Sequence, residues 1–314
     1  MSNSVELSVV SPFFNEAESL PRFLSDLREV LDGLEVTYEV VLVDDGSTDD
    51  WLLAFGHANW PECRVLQLTK NFGHQAALDA GLADARGLYI VTMDSDLQHP
   101  PALIAELLRT AKQCECDVVY AKREARNEDS FYKRWTARRY YRLMRHMTGI
   151  PLEENAADFR LMSRFVVDLL NTMPERKIFR LLIPFLGFSS QSVSYEASPR
   201  QAGFSKFTFS RMAGLALRSS IQFSRRPLRI VTFFGIATSI LAGVWLLYVI
   251  FSWLTGSTST GWPSVMAVTL LTSGVVLFSL GIIGEYLGEI FAEIKARPNF
   301  IVRQTYTSAS GGQS

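Results

Sequence analysis

Two glycine signatures are missing from this chain. No Gly-x-Gly-x-x-Gly follows its first apolar run and no Gly-x-x-x-x-Gly-Lys-Ser/Thr occurs in it, so a dinucleotide-binding enzyme and a P-loop NTPase both lose ground. Cysteine is scarce as well. Cys63, Cys114 and Cys116 are an odd number, and Met1 to Leu7 has neither the basic nor the apolar region of a cleaved signal, so reduced cytosolic thiols are expected. Cys114-Glu115-Cys116 is too isolated to hold zinc. Nor is there an excess of either charge: a formal net charge of −1 argues against a nucleic-acid partner. The chain has no internal repeat.

Apolar sequence, by contrast, is in surplus. With 314 residues and 48% hydrophobic content, the chain can fill a core and have apolar sequence left over. Leu228 to Leu254, charged only at Arg229, and Ser264 to Ile283, uncharged, each reach the roughly 20 residues that cross a hydrocarbon core and are expected as transmembrane helices. Arg225, Arg226 and Arg229 stand at the start of the first span, Lys295, Arg297 and Arg303 follow the second, and Thr255 to Pro263 between them carries no charge. The positive-inside rule therefore places both termini in the cytoplasm. Lys206 to Phe223 mixes Phe207, Phe209, Met212 and Leu215 with Arg211 and Arg218, which suits the interface plane. Thr305 to Ser314 is Ser/Gly-rich and expected to be disordered.

The remainder alternates short apolar runs with amphipathic segments. Strands are expected over Glu6 to Pro12, Tyr38 to Val43, Arg64 to Leu68, Leu88 to Met93, Asp117 to Ala121 and Gln191 to Tyr195. Helices are expected over Glu18 to Leu31, His74 to Ala85 and Pro101 to Cys114. Such alternation predicts an α/β fold with a mostly parallel sheet covered on both faces.

Carboxylates collect where these strands end. The run Leu88 to Met93 delivers Asp94 and Asp96, and in an open α/β sheet ligands gather outside the carboxyl ends of strands. Two hard oxygen donors suit Mg²⁺ or Mn²⁺ shared with a substrate diphosphate. Capping of the helix that opens at Pro101 is the other reading. Asp44 and Asp45 close the second strand and are kept as ligand-binding residues, whereas Ser47, Thr48 and Asp49 suit a turn with a helix cap.

Downstream, Lys122, Arg123, Arg126, Lys133, Arg134, Arg138, Arg139, Arg142 and Arg145 crowd together with Phe131, Tyr132, Trp135, Tyr140 and Tyr141. No acidic residue lies between Phe131 and Thr148, so a solvated helix face is disfavoured against anionic lipid head groups or a phosphate ligand. Asp158-Phe159-Arg160-Leu161-Met162 isolates one carboxylate among apolar residues, as a capped turn or a site residue. Ser198 to Lys206 sets Arg200 and Lys206 around Gly203, a loop able to fold over a diphosphate or to act as a plain linker.

Six motifs together resemble the GT-A, family 2 polyprenyl-phosphate glycosyltransferases, the group of bactoprenol glucosyltransferases and dolichol-phosphate mannose synthase. They are Ser11-Pro12-x-x-Asn15-Glu16, Val43-Asp44-Asp45-Gly46-Ser47-Thr48-Asp49, Asn71-Phe72-Gly73, Asp94-x-Asp96-Leu97-Gln98-x-Pro100-Pro101, Asp158-Phe159-Arg160-Leu161-Met162 and Arg200-x-x-Gly203-x-Ser205-Lys206. Gly284-Glu285-Tyr286-Leu287-Gly288, running into Lys295-Ala296-Arg297-Pro298, extends the likeness past the second span. His99 stands where the family often has Asp, and Ala102 where it often has Glu; His99 can still tune a metal's surroundings.

The resemblance implies inverting, metal-dependent transfer of a hexose from a nucleotide sugar, UDP-glucose above all, to undecaprenyl phosphate. It places the enzyme in the bacterial inner membrane, with its catalytic domain in the cytoplasm, membrane lipids around it and a homo-oligomer expected. Pro12, Glu16 and Asp45 would hold base and ribose, with Asp44 and Gln98 also on the donor side; Asp94 and Asp96 would serve ribose and metal. Arg200 and Lys206 would close over the diphosphate, and Arg123 with Arg134 or Arg138 would hold the acceptor phosphate. Asp158, Asp96 and Arg123 would be the catalytic set. A phosphate monoester with its second pKa at about 6 is already largely deprotonated, so Asp158 is weighted toward positioning rather than base catalysis.

The expected division is a catalytic domain over 1–205, an interfacial segment over 206–227, a two-span domain over 228–290 and a tail over 291–314. A processive polysaccharide synthase is a rival, but Arg134-Trp135 lacks the Gln that Gln-x-x-Arg-Trp needs at position 131. A membrane-anchored nucleotide or lipid sensor would keep the pocket without the chemistry.

Overall fold

The computed structural model describes residues 5–56, 58–123, 156–174, 177–195, 226–255, 261–295 and 297–307. Arg134, Arg138, Arg200, Lys206 and nearly all of the expected interfacial segment lie outside them. The described residues divide into two compact units, one holding those up to 195 together with 297–307, the other holding 226–255 and 261–295.

The first unit is built on strands β1 (Leu7–Phe13), β2 (Tyr38–Asp44), β3 (Cys63–Leu68), β4 (Tyr89–Thr92), β5 (Val118–Arg123), β6 (Ala156–Ser163), β7 (Ser190–Tyr195) and β8 (Val302–Thr307). They form one sheet in the order β7-β5-β6-β4-β1-β2-β3-β8. The pairs β1–β2, β2–β3, β1–β4 and β5–β7 are parallel, while β6 runs antiparallel to β4 and β5, and β8 antiparallel to β3. Every residue of β1 is buried, as expected for a central strand covered on both faces.

Helices α1 (Leu20–Asp32), α2 (Trp51–Gly56), α3 (His74–Asp84), α4 (Leu103–Cys114), α5 (Arg164–Thr172) and α6 (Phe179–Leu186) cover this sheet. Leu20, Phe23, Leu24, Leu27 and Leu31 form the buried stripe of α1, and Leu103, Ile104, Leu107, Leu108 and Ala111 that of α4, both at helical spacing. α3 lacks such a stripe and is small instead. A Cβ on Gly81 would stand 2.3 Å from Val10 Cγ1 and 3.0 Å from Val43 Cγ2, so the glycine lets α3 press directly onto β1 and β2.

Three expectations fail here: the capped-turn reading of Asp158, the disorder of Thr305 to Thr307, and the free thiols of Cys114 and Cys116. Asp158 to Met162 is neither a turn nor a cap but the middle of β6, with Phe159, Arg160, Leu161 and Met162 all buried. Asp158 and Arg160 share a face, two residues apart, and their ion pair lets charge sit inside the sheet. Thr305, Tyr306 and Thr307, assigned to a disordered tail, belong to β8, which covers the otherwise open edge of β3. Tyr306 packs edge-on against Trp51 with ring centroids 5.5 Å apart. Cys114 and Cys116, expected as thiols, are joined as a disulfide, whereas Cys63 is free and buried.

The second unit holds α7 (Arg226–Leu254) and α8 (Trp262–Ile294), which contact each other. Val231–Ser252 and Ser264–Ile294 are long and apolar enough to cross a membrane, and their side chains are largely exposed. At 33 residues α8 outruns its expected end at Ile283. Its length of about 50 Å exceeds a hydrocarbon core of about 30 Å. The extra turns carry Glu285, Glu289 and Glu293, spaced so that all three share one face.

Candidate active site

The strand order places β4 beside β1 while β2 and β3 lie on the other side of β1. The carboxyl ends of β1 and β4 therefore flank a topological switch point, where open α/β sheets bind ligands. A cavity of about 350 Å³ opens there, lined by Pro12, Phe13, Glu16, Asp45, Asn71, Gly73, His74, Asp94, Ser95 and Asp96 among others. Five residues singled out in the sequence, Pro12, Glu16, Asp45, Asp94 and Asp96, thus converge from three loops.

The loops are laced together by side chain to backbone hydrogen bonds. Asn15 N donates to Ser47 Oγ at 2.9 Å, Thr48 N to Asn15 Oδ1 at 2.8 Å and Ala17 N to Asp49 Oδ2 at 2.8 Å. Ser47 and Asp49 therefore bind across to the β1–α1 loop. Asp45 accepts from Phe72 N at 2.7 Å and from Gly73 N at 3.0 Å, which fixes the entry to α3. Gly46 makes this approach possible: its φ is +72°, and a Cβ would fall 2.4 Å from the Lys70 carbonyl carbon. Asp44 does not line the cavity; it is fully buried, with Oδ1 accepting from Ser47 N at 2.7 Å and Oδ2 lacking a partner among the described residues.

After β4 the chain turns through Leu97, at φ +61°, before α4 begins at Leu103. No side chain caps α4, so the capping reading of Asp94 and Asp96 fails. Asp96 Oδ1 accepts from Gln98 N at 3.1 Å and Asp96 Oδ2 from Gln98 Nε2, an Asx-type turn that assigns Gln98 to orienting Asp96. Ser95 Oγ donates to Pro12 O at 3.1 Å and ties this loop to β1. Asp94 N donates to His99 Nδ1 at 3.1 Å, and the His99 ring lies on Phe159, centroids 5.2 Å apart.

Asp94 Oδ1 is the unfinished contact. It is buried and accepts no hydrogen bond among the described residues; His74 Nε2 is 3.4 Å away. Burial pushes the Asp94 carboxyl above the usual range, with Asp158 and Asp96 adding to the rise against the opposing pull of His74 and His99. An orphaned, hard oxygen beside a second carboxylate fits a divalent cation that completes its shell with water and substrate oxygens. No three His, Cys, Asp or Glu side chains form a closed cage among the described residues.

Asp158 stands behind this loop on β6, where Thr92 Oγ1 donates to its carbonyl at 2.8 Å. Its carboxylate accepts from Arg160 Nη2 and, at 3.4 Å, from Arg180 Nη2; His74 Nε2 lies 3.8 Å off. Burial alone would raise the Asp158 carboxyl, but Arg160 and Arg180, then His74 and His99, hold it below the usual carboxylate range. Arg123 closes β5 opposite Tyr195 of β7. Sequence reasoning passed over His74 and Arg180. His74 directly follows the Asn71-Phe72-Gly73 motif, a signal that was there to be read; Arg180, two residues past Ile178 in an apolar stretch, had none.

A mostly parallel mixed sheet with this site at its switch point is that of GT-A-like glycosyltransferases. One solved structure of that fold, glucosyl-3-phosphoglycerate synthase from Mycobacterium tuberculosis in complex with phosphoglyceric acid, aligns with a TM-score of 0.51 at 20% identity, over 69% of this chain and 79% of that one. The chain belongs to glycosyl transferase family 2, which it matches over residues 8–170, and it is a glycosyltransferase. Residues 226–290 match the GtrB C-terminal hairpin. Full-length relatives include the uncharacterized glycosyltransferase YkcC of Bacillus subtilis, 37% identical over 98% of this chain and 96% of its own length. The bactoprenol glucosyl transferase of Shigella phage SfII is 36% identical over 96% of this chain and 99% of its own length.

Proposed function

We propose that the enzyme transfers glucose from UDP-glucose to undecaprenyl phosphate with inversion at the anomeric carbon, at the cytoplasmic face of a bacterial inner membrane. The observation that carries this reading is the cavity at the β1–β4 switch point, where Pro12, Glu16, Asp45, Asp94 and Asp96 meet beside an orphaned carboxylate oxygen. Kinship to a bactoprenol glucosyl transferase along nearly the whole chain supports the acceptor class and the sugar. The two apolar helices supply a reason for an acceptor that stays in the bilayer.

In this reading Pro12, Glu16 and Asp45 hold the base and ribose, and Gln98 keeps Asp96 turned toward the diphosphate. Asp94 and Asp96 would hold Mg²⁺ or Mn²⁺, which neutralises charge developing on the leaving nucleoside diphosphate. Arg200 and Lys206 close over that diphosphate, and Arg123 with Arg134 or Arg138 receives the acceptor. An acceptor phosphate oxygen attacks the anomeric carbon as the bond to the diphosphate breaks, which inverts the centre in a single displacement. The acceptor needs no base, because a phosphate monoester with its second pKa at about 6 is already largely ionised. Asp158, held ionised by two arginines, then orients cations.

The test is turnover of purified protein with a panel of UDP- and GDP-sugars and undecaprenyl phosphate. One lipid-linked glucose from UDP-glucose supports the reading. A polymer would instead indicate a processive synthase, and binding without any product a nucleotide or lipid sensor.

A further inference from the structure

Asp158 carries more positive charge than it can neutralise. Arg160 Nη2 donates to one of its oxygens and Arg180 Nη2 to the other, so two guanidinium groups share one carboxylate. The two arginines differ in exposure. Arg160 is enclosed, its side chain 2% exposed, and its Nη1 has no partner among the described residues; Arg180 is 48% exposed. A guanidinium has five N–H donors in a planar fork, and the one Arg180 bond to Asp158 orients that fork without consuming it.

The place of Arg180 is fixed from below. Lys177 and Asp79 form a buried ion pair between the approach to α6 and α3, and Phe179 N donates to Gln75 Oε1 at 3.0 Å. The start of α6 is thereby pinned to the helix that begins with His74. His74 Nε2 in turn lies 3.4 Å from Asp94 Oδ1 and 3.8 Å from Asp158 Oδ2. Arg180 Nη2 thus meets the same Asp158 oxygen that His74 Nε2 approaches, and Arg180 is linked to Asp94 through Asp158 and His74 without lining the cavity that Asp94 and Asp96 line.

We propose that Arg180, oriented by Asp158 and backed by the buried charge of Arg160, binds a phosphate oxyanion of the transfer reaction, that of the acceptor monoester. Asp158 is then a positioning residue. The donor diphosphate offers the same chemistry, but the cavity lined by Asp94 and Asp96 is not lined by Arg180, so the acceptor is favoured. This inference rests on the lipid-phosphate reading above, and it adds a binding residue which no motif in the sequence marks.

The experiment uses full-length protein in nanodiscs with Arg180→Gln and Arg180→Lys. Charge-assisted hydrogen bonds of this kind predict a rise of about tenfold to hundredfold in the acceptor KM of Arg180→Gln. The donor KM should stay unchanged, and Arg180→Lys should recover part of the loss. Combining Arg180→Gln with Asp158→Asn should add little beyond the larger single effect, since both remove one contact system. Direct binding is measured in parallel, comparing undecaprenyl phosphate with undecaprenol; the preference for the phosphate should shrink in Arg180→Gln. An unchanged acceptor KM and phosphate preference would overturn the proposal, and a rise in donor KM alone would assign Arg180 to the diphosphate instead. If Asp158→Asn does not fold, the two Arg180 variants decide. Wild-type protein that makes no lipid-linked sugar at all would sink the functional reading, while the binding comparison would still judge Arg180.

Discussion

At the scale of single residues, carboxylates in this chain have opposite fates that follow from their partners. Glu39 on β2 is buried, yet Ser8 Oγ, Arg64 Nη1 and Arg86 N all donate to it. Burial alone would raise its carboxyl; the bonds from Ser8, Arg64 and Arg86 win and hold it below the usual range. A lowered folded-state value means stability that is present above the unfolded pKa, about 4.3 for Glu, and lost as pH falls through the folded one. Glu39→Gln should thus cost about 1–3 kcal/mol at neutral pH. The gap to wild type should narrow in acid below about pH 4, as followed by urea denaturation.

Asp94 is the reverse case, a carboxylate that burial disfavours and that lacks a partner for Oδ1. A bound divalent cation would supply that partner. Mn²⁺ together with UDP should raise the melting temperature of wild-type protein and leave that of Asp94→Asn unmoved. Asp96→Asn should abolish transfer with the circular dichroism spectrum intact, and wild-type turnover that persists unchanged in EDTA would contradict the metal assignment. These positions were legible in the sequence because an Asp pair after a buried strand is a local pattern. His74 had a local signal in the motif it follows, whereas Arg180 had none, because what matters for Arg180 is which carboxylate the fold brings within 4 Å.

At the scale of elements, α3 was legible from its small, Ala-rich composition rather than from a stripe, whereas β8 was not legible from local pattern. Without a hydrophobic stripe α3 gives a weak periodic signal, and its place is set by small residues at contact distance from the sheet. Gly81→Val should drive side-chain atoms into Val10 and Val43 and cost about 1–3 kcal/mol, as overpacked cores do. Because His74 opens the same helix, the donor KM should rise with the loss of stability. A Gly81→Val protein with unaltered melting would mean that α3 can move off the sheet freely.

The end of β8 reads as a disordered tail because Thr305 to Thr307 run into the Ser/Gly-rich residues 308–314. Pairing with β3 and the contact of Tyr306 with Trp51 make it a strand. A chain ended at Ile301 should expose the β3 edge, melt at lower temperature and aggregate more readily with concentration. Light scattering during a thermal ramp checks this.

At the scale of the whole molecule, the sheet contains strands from both before and after the α7–α8 pair. A chain that crosses a bilayer twice returns to the side it left, and β8 joins the sheet that holds β1 to β7. The positive-inside rule expects Arg225, Arg226, Arg229, Lys295 and Arg303 to share one side. The uncharged loop Thr255 to Pro263 should then face away from the cytoplasm. A cysteine introduced at Ser257 should react with an impermeant thiol reagent in intact spheroplasts. Labelling only after the inner membrane is breached would contradict the topology.

The sequence by itself determined the α/β class, most strands and helices, the two apolar spans and the acidic strand exits, since all of these are written in short-range spacing. Tertiary structure alone decided that β4 lies beside β1, that β6 runs antiparallel between β4 and β5, and that β8 returns to the edge of β3. Those choices depend on contacts between residues far apart in the chain: Asp158 and Arg160 enter the sheet because they neutralise each other, and Arg180 reaches Asp158 because α6 is tied to α3. Periodicity carries no record of such pairings, so a charge buried with its partner looks in the sequence like a charge in a loop.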